Sequence, residues 1–514
     1  RELVWEMGSH DRRQLAFDLG SSAGELALRM VGLSLDSDDQ DSYPDGHKLN
    51  RKRQYLGPSL RWRPRTGTTL TLFGEYLKND SAEDPYYLNI GGLYTPIKMG
   101  DYSFSRIRQE QGALGYLLDA QLDANWSLVQ AVRHSRITLD RRAVWIDALD
   151  ADGRTLHRSA RSWNDPLSQS AVDTALRGRV QTGAVSHTLL MGFDWNDQRI
   201  RARRFIGAAP DLDLYLPIYN QLVAMPQTPV ARGHQRTIQS GVYLQDQLRW
   251  GERWVLTLGA RRDDVKSEVD DVLEGTQLHQ RDRAVSRRVG LNYLLGNGWS
   301  VYASHAESFL PNSGLDAQGD PFKPSRGAQL ELGTRYQPEG RGFLFAAAVF
   351  DLRKTNVVSY DPVSFEGLQV GRQRSKGLEL EAKGTLRRGL NISAAYTWLD
   401  TKVTQSADAQ EIGKSPPGIP RHSASVWLDW RMKDGWGGGA GLRYVGRRAN
   451  DEHNSSFVGG VALMDAAIRY ETGPWRFALN VSNLFDKKYF SICYHAECYR
   501  GAERAATLSA RYSF

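Results

Sequence analysis

Cys493 and Cys498 are the only cysteines of the chain, and His495 and Glu497 stand between them. Three chemistries fit this cluster: a disulfide, a pair of free thiols, or a metal site of thiolate, imidazole and carboxylate. Spacing opposes the metal, because four ligands so close in sequence can hardly surround a tetrahedral ion. A disulfide closing so short a loop stabilises by roughly 2 kcal/mol on the chain-entropy account. A second cluster, Asp36, Asp38, Asp39 and Asp41, could gather oxygen ligands around Ca²⁺, although such a run is usually a solvated loop. The chain has no Gly-x-Ser-x-Gly elbow, Walker loop or His-Glu-x-x-His segment. No enzyme is expected from these residues.

Composition narrows the class. The 514 residues hold 66 Lys and Arg against 59 Asp and Glu, spread without a dense basic block, so nucleic acid is not an expected partner. The longest uninterrupted apolar run, Phe343 to Phe350, falls far short of the ~18 to 20 residues of a spanning helix. With 14 Trp, 22 Tyr and 16 Phe, the chain is too aromatic to stay disordered.

The elements that position these residues are strands. Ala506, Leu508, Ala510, Tyr512 and Phe514 alternate with polar neighbours, as do Trp475 to Val481 and Leu15 to Leu19. Such segments fill the chain and number about 22. Their connections sort by length. Tight turns such as Pro64 to Gly67, Gly251 to Arg253, Gly296 to Gly298 and Thr472 to Pro474 alternate with long stretches at 36 to 52, 79 to 108, 140 to 169, 205 to 234, 308 to 327, 402 to 421 and 484 to 503. A soluble sandwich has no reason to sort loops in this way, whereas a membrane barrel puts short turns at the periplasmic rim and long loops outside. Trp126, Trp254, Trp299, Trp436 and Trp475 each follow a short turn directly, as an interfacial girdle requires. The expected fold is all-β: over 1 to 514, one transmembrane antiparallel barrel of about 22 strands, with both ends at the periplasmic rim of a Gram-negative outer membrane. An oxidising outer surface then favours the disulfide reading.

The run Asn480-Val481-Ser482-Asn483-Leu484-Phe485-Asp486-Lys487-Lys488-Tyr489, followed by Cys493, Cys498 and Gly501 to Arg504, resembles the end of TonB-dependent siderophore receptors. The resemblance is greatest to those for ferric hydroxamates such as ferrichrome. It continues through Gly377 to Ala382, Ala395 to Trp398, Ile419 to His422, His187 to Gly192 and Gly241 to Asp246. It implies uptake of a ferric siderophore, with iron arriving already chelated and no cofactor of the protein's own. The implied partners are the TonB-ExbB-ExbD complex acting through an N-terminal plug, outer-membrane lipid and lipopolysaccharide, for a monomeric receptor. The plug and a signal peptide are expected to be encoded ahead of Arg1.

In loops matching the family's aromatic pocket stand Tyr86, Tyr87, Tyr94, Trp145, Phe205 and Phe457. They are the ligand-binding residues that the resemblance implies, aromatics being suited to a compact chelate. His305 and His422 read as inward-facing strand or turn residues and not as haem ligands. A haem or cobalamin receptor of the same architecture, a passive porin, and an outer-membrane phospholipase or protease are the alternatives.

Overall fold

The computed structural model describes the chain except residues 84–85, 91–92, 313–320, 341, 361–366 and 495–496. One sheet contains 23 strand segments. Two of these, Thr155–Asn164 and Leu167–Thr182, lie end to end between Trp126–Leu149 and Val185–Asp213, interrupted at Asp165-Pro166, where proline has no N–H to give the ladder. They fill one slot, and the result is a closed antiparallel barrel of 22 strands. Closure comes from Glu2–Gly8, which pairs with Arg12–Ala23 on one side and with Ala505–Ser513 on the other, Trp5 opposite Ala510. Among the described residues the barrel leaves no edge strand, so its backbone polar groups are paired within the sheet and do not face hydrocarbon.

Alternation assigns the two faces. Val242, Leu244 and Trp250 are apolar and more than half exposed, so their side meets lipid. Tyr243, between Val242 and Leu244, instead donates to Asp173 at 2.7 Å, and Arg261 pairs with Asp194 and Asp263. That side is the lumen. His305 is opposite Leu330, which is 61% exposed. It therefore faces outward and not, as expected, inward. His422 lies in register with Trp398 and meets the Tyr396 hydroxyl at 3.0 Å.

The girdle tryptophans each open a strand, and four pack in tilted contact against a registered aromatic next door: Trp254 against Tyr293, Trp299 against Tyr336, Trp436 against Tyr470 and Trp475 against Tyr512, with centroids 4.5 to 4.8 Å apart. Tyrosine and indole share the taste for a surface that is apolar at one end and wet at the other.

At the opposite rim the strands run on past the membrane. Leu26–Ser42 pairs with Lys48–Arg65 through most of the expected loop 36–52, and Trp126–Leu149 pairs with Thr155–Asn164 through most of 140–169. Val185–Asp213 is 29 residues long, whereas crossing the bilayer takes about 9 to 11. Both faces of such an extension meet water or loop, so the apolar–polar alternation that marks a strand disappears while the ladder continues. One connection on this side is tight after all. His10 and Asp11 both have positive φ, 59° and 48°, the signature of a type I′ hairpin turn.

The glycine run of Trp436–Val445 has a packing cause. Trp427 lies across the neighbouring strand so closely that a Cβ at Gly439 or Gly441 would sit 2.3 or 2.5 Å from its ring. Gly441→Val is expected to destabilise the barrel by about 1–3 kcal/mol through this overlap. Urea unfolding followed by heat-modifiable gel migration measures it, and Gly459→Val, where nothing lies within 4 Å, serves as the control.

Candidate functional site

The loop side carries a second, smaller sheet. Phe490–Tyr494, Glu497–Arg500, Tyr87–Ile90 and Leu93–Lys98 pair in that order, joining the last long loop to one 400 residues earlier in sequence. Cys493 and Cys498 are in register, fully buried and disulfide-bonded. His495 of the rejected metal reading lies outside the described residues.

Beneath this sheet Tyr43, Leu49, Tyr86, Leu88, Met99, Leu156, Leu212 and Tyr219 form one buried cluster drawn from four loop regions. Its polar atoms are mostly provided for. Lys98 is 3% exposed; its Nζ donates to the Ser42 carbonyl at 2.6 Å and sits 4.6 Å from the Tyr43 ring centre. Burial pulls its pKa below the usual lysine range. Asp101, fully buried, accepts backbone N–H groups of Ser103, Asn220 and Gln221 at 3.0 to 3.2 Å, which ties the 214–227 segment down. Tyr219 donates to the Lys98 carbonyl at 2.9 Å, and burial pushes its hydroxyl up to about 12. Arg158 donates to the carbonyls of Pro210 and Met99 at 2.8 and 3.2 Å.

The six expected pocket residues fall on this scaffold unequally. Tyr86 is in the cluster, where it donates to Glu83 at 2.9 Å and accepts from Arg141 at 2.8 Å. Trp145 packs against the same cluster, 5.2 Å from Trp163 and with the Arg161 guanidinium 4.5 Å over its ring. Tyr87 is 1% exposed and packs with Val458 and the disulfide, under Arg500 at 4.5 Å. Phe457, next to Val458, is partly buried with Arg447 3.6 Å over its ring and borders a cleft with Asp400, His422 and Tyr444. Phe205 is partly buried, opposite Ser162 and Pro229 on the extended strands, and is not in either cluster. Tyr94 is opposite Asn89 in the small sheet, and its side chain lies outside the described residues.

The acidic run is held by cations. Asp36 pairs with Lys52 at 3.5 Å, Asp38 with Lys48 at 3.6 Å, Asp39 with Arg51 at 4.0 Å and Asp41 with Arg500 at 3.1 Å. Each carboxylate thus has a cation across the hairpin or from the last loop.

Residues 35–484 match the family model described as TonB dependent receptor-like, beta-barrel. The chain belongs to that family. It is 32% identical to the ferrioxamine B receptor of Salmonella typhimurium (strain SL1344), over 99% of this chain and 74% of that protein. It is 30% identical to the ferrichrome outer membrane transporter/phage receptor of Escherichia coli K12, over 100% of this chain and 74% of that one. The solved siderophore receptor PiuA from Acinetobacter baumannii superposes with a TM-score of 0.91, covering 99% of this chain and 81% of that chain at 21% identity, which establishes the shared fold. The protein is an outer-membrane receptor barrel, and its family consists of receptors and transporters.

Sequence reasoning missed Tyr43, Lys98, Asp101, Arg158 and Tyr219 of this receptor, which organise the cap. Lysine, aspartate and arginine in polar loops read as solvated. Nothing local marks the few that become buried by contacts with segments 52 to 121 residues away.

Two expectations follow from the cap. Denatured, unreduced protein should show no reactive thiol by titration. His157, exposed at the tip of its hairpin, contacts Asp150 at 3.0 Å and Asp211 at 3.1 Å, and hydrogen bonds to these two carboxylates raise its pKa. The folded value exceeds the unfolded one, so the contribution is complete below about 6.5 and is lost as pH rises through the folded pKa. Imidazole NMR titration should give a midpoint above about 6.5 that returns toward it in the double variant Asp150→Asn/Asp211→Asn.

Proposed function

We propose that this receptor takes up a ferric siderophore of the hydroxamate class, powered by the TonB complex acting through a plug in the lumen. The observation that carries the reading is full-length similarity of this barrel to receptors named for ferrioxamine B and ferrichrome, two ligands of one chemical class. A chelate of that class brings its iron fully wrapped. The receptor then needs shape, aromatic area and a few oriented polar tips in place of metal ligands. Trp145 and Phe457 suit such a ligand, since each keeps part of its surface and each has a guanidinium over one face. Tyr86 and Tyr87 are the buried support beneath them, and Phe205 and position Tyr94 of the small sheet complete the proposed set. A lumen bounded by 22 strands is too wide to be filled by its own side chains, which is why coupling is assigned to a plug and not to the wall.

In the plug-containing protein, Trp145→Ala together with Phe457→Ala should weaken ferrioxamine-type binding by several kcal/mol if each loses about 1–3. Heat-modifiable migration should stay normal. Fluorescence quenching with ferric hydroxamates, haem and cobalamin in parallel is the measurement. Undiminished binding by the double variant removes the pocket assignment, and wild-type binding of haem or cobalamin alone removes the substrate class.

A further inference from the structure

An aromatic ring that reads a ligand by shape has to be held in one orientation, and one arginine is placed to hold Trp145. Asp173, which receives the Tyr243 hydroxyl in the lumen, is in register with Ala131. Counting in twos from Ala131 up the strand Trp126–Leu149 puts Arg141 and Trp145 on the lumen side, and the register is unbroken over that stretch. Across the ladder Arg141 is opposite Trp163, and Ala143 is opposite Arg161. Two arginines and two tryptophans therefore share one wall of the lumen mouth.

Their side chains are packed on one another. The Arg161 guanidinium lies 4.5 Å from the centre of the Trp145 ring, and Trp145 and Trp163 are 5.2 Å apart with their planes tilted by 48°. The Arg141 guanidinium lies 5.6 Å from the Trp145 ring and 4.9 Å from that of Trp163. All are within the range of cation–π and aromatic pairs.

The two arginines differ in what fixes them. Arg161 reaches Asp147 at 3.6 Å, a carboxylate that is 43% accessible. Arg141 donates through Nε at 2.8 Å to one oxygen of Glu83, pairs with the same oxygen through Nη2, and donates to the Tyr86 hydroxyl at 2.8 Å. Glu83 is 5% accessible. A planar guanidinium gripped by a buried carboxylate keeps one orientation, and a ring packed on it inherits that orientation. A tryptophan ordered before its ligand arrives spares the complex the ordering cost, a factor of about two to ten in affinity.

We propose that Arg141 is a positioning residue of the siderophore site. From its anchor on Glu83 it fixes the Trp145 ring beside Trp163, and affinity depends on it through Trp145 and not through a contact of its own with the ligand. This role rests on the reading that Trp145 touches the siderophore.

The test uses Arg141→Lys in the plug-containing receptor, since lysine keeps a cation beside Glu83 but loses the planar fork. Close indoles couple in far-ultraviolet circular dichroism, and the difference between wild type and Trp163→Phe isolates the couplet of Trp145 with Trp163. That couplet should collapse in Arg141→Lys while heat-modifiable gel migration stays normal. Binding of radiolabelled ferric ferrioxamine B supplies a double-mutant cycle. Arg141→Lys should weaken it about two- to tenfold in the wild-type background and leave it unchanged in the Trp145→Ala background. An intact couplet in Arg141→Lys, or an equal loss of binding in both backgrounds, would overturn the positioning role. Undiminished binding by Trp145→Ala removes the pocket reading instead, and the couplet then decides by itself whether Arg141 orders the ring. Should Arg141→Lys fail to show folded-form migration, Glu83→Gln loosens the same anchor from its other end and should give the same two changes.

Discussion

Hydrocarbon offers no hydrogen bonds, and that one fact shapes most of this receptor. Every backbone N–H and C=O within the bilayer needs a partner in the chain, which a sheet meets only by closing on itself. The Glu2–Ser513 ladder supplies the closure. A closed sheet of alternating residues then has an apolar outer face and a polar inner one, as Val242 and Tyr243 illustrate side by side. The lipid face tolerates few polar exceptions.

Above the membrane the constraint is lifted and the construction changes. Ladders continue as free-standing hairpins, but what holds them to one another is side-chain chemistry: Lys98 under two tyrosines, Asp101 capping three backbone N–H groups, Arg158 bridging to carbonyls of other segments. Burying such groups gives little net stability, since desolvation offsets much of what the hydrogen bonds return. What they provide is one arrangement of loops in place of many. A receptor that recognises its ligand by shape needs the rim held in this way, because an aromatic side chain on a wandering loop forfeits binding energy to ordering.

The same division explains the unequal placement of the aromatic residues. Tyr86 and Tyr87 lie where loops meet and are covered by them, while Trp145 and Phe457 are on the margins of those contacts and keep accessible surface. A residue type suited to ligand contact is equally suited to packing a loop. Which role it takes depends on how many neighbouring segments converge on it.

The amino-acid sequence by itself determined the barrel. Period-two alternation, the sorting of connections by length and tryptophans at one offset are each local, and lipid enforces them strand by strand, so the 22 strands and their order were legible without coordinates. The pairing of Cys493 with Cys498 was legible too, the two being close in sequence. What only the tertiary structure decided lies above the membrane. The extension of Leu26–Ser42 and Val185–Asp213 beyond the bilayer carries no alternation, because both faces leave lipid together. His305, read as inward, faces outward on the side of Trp299 and Val301, in register with Leu330. The burial of Lys98 and Asp101, and the separation of Phe205 from Tyr86, depend on contacts between segments far apart in the chain, for which no local pattern exists.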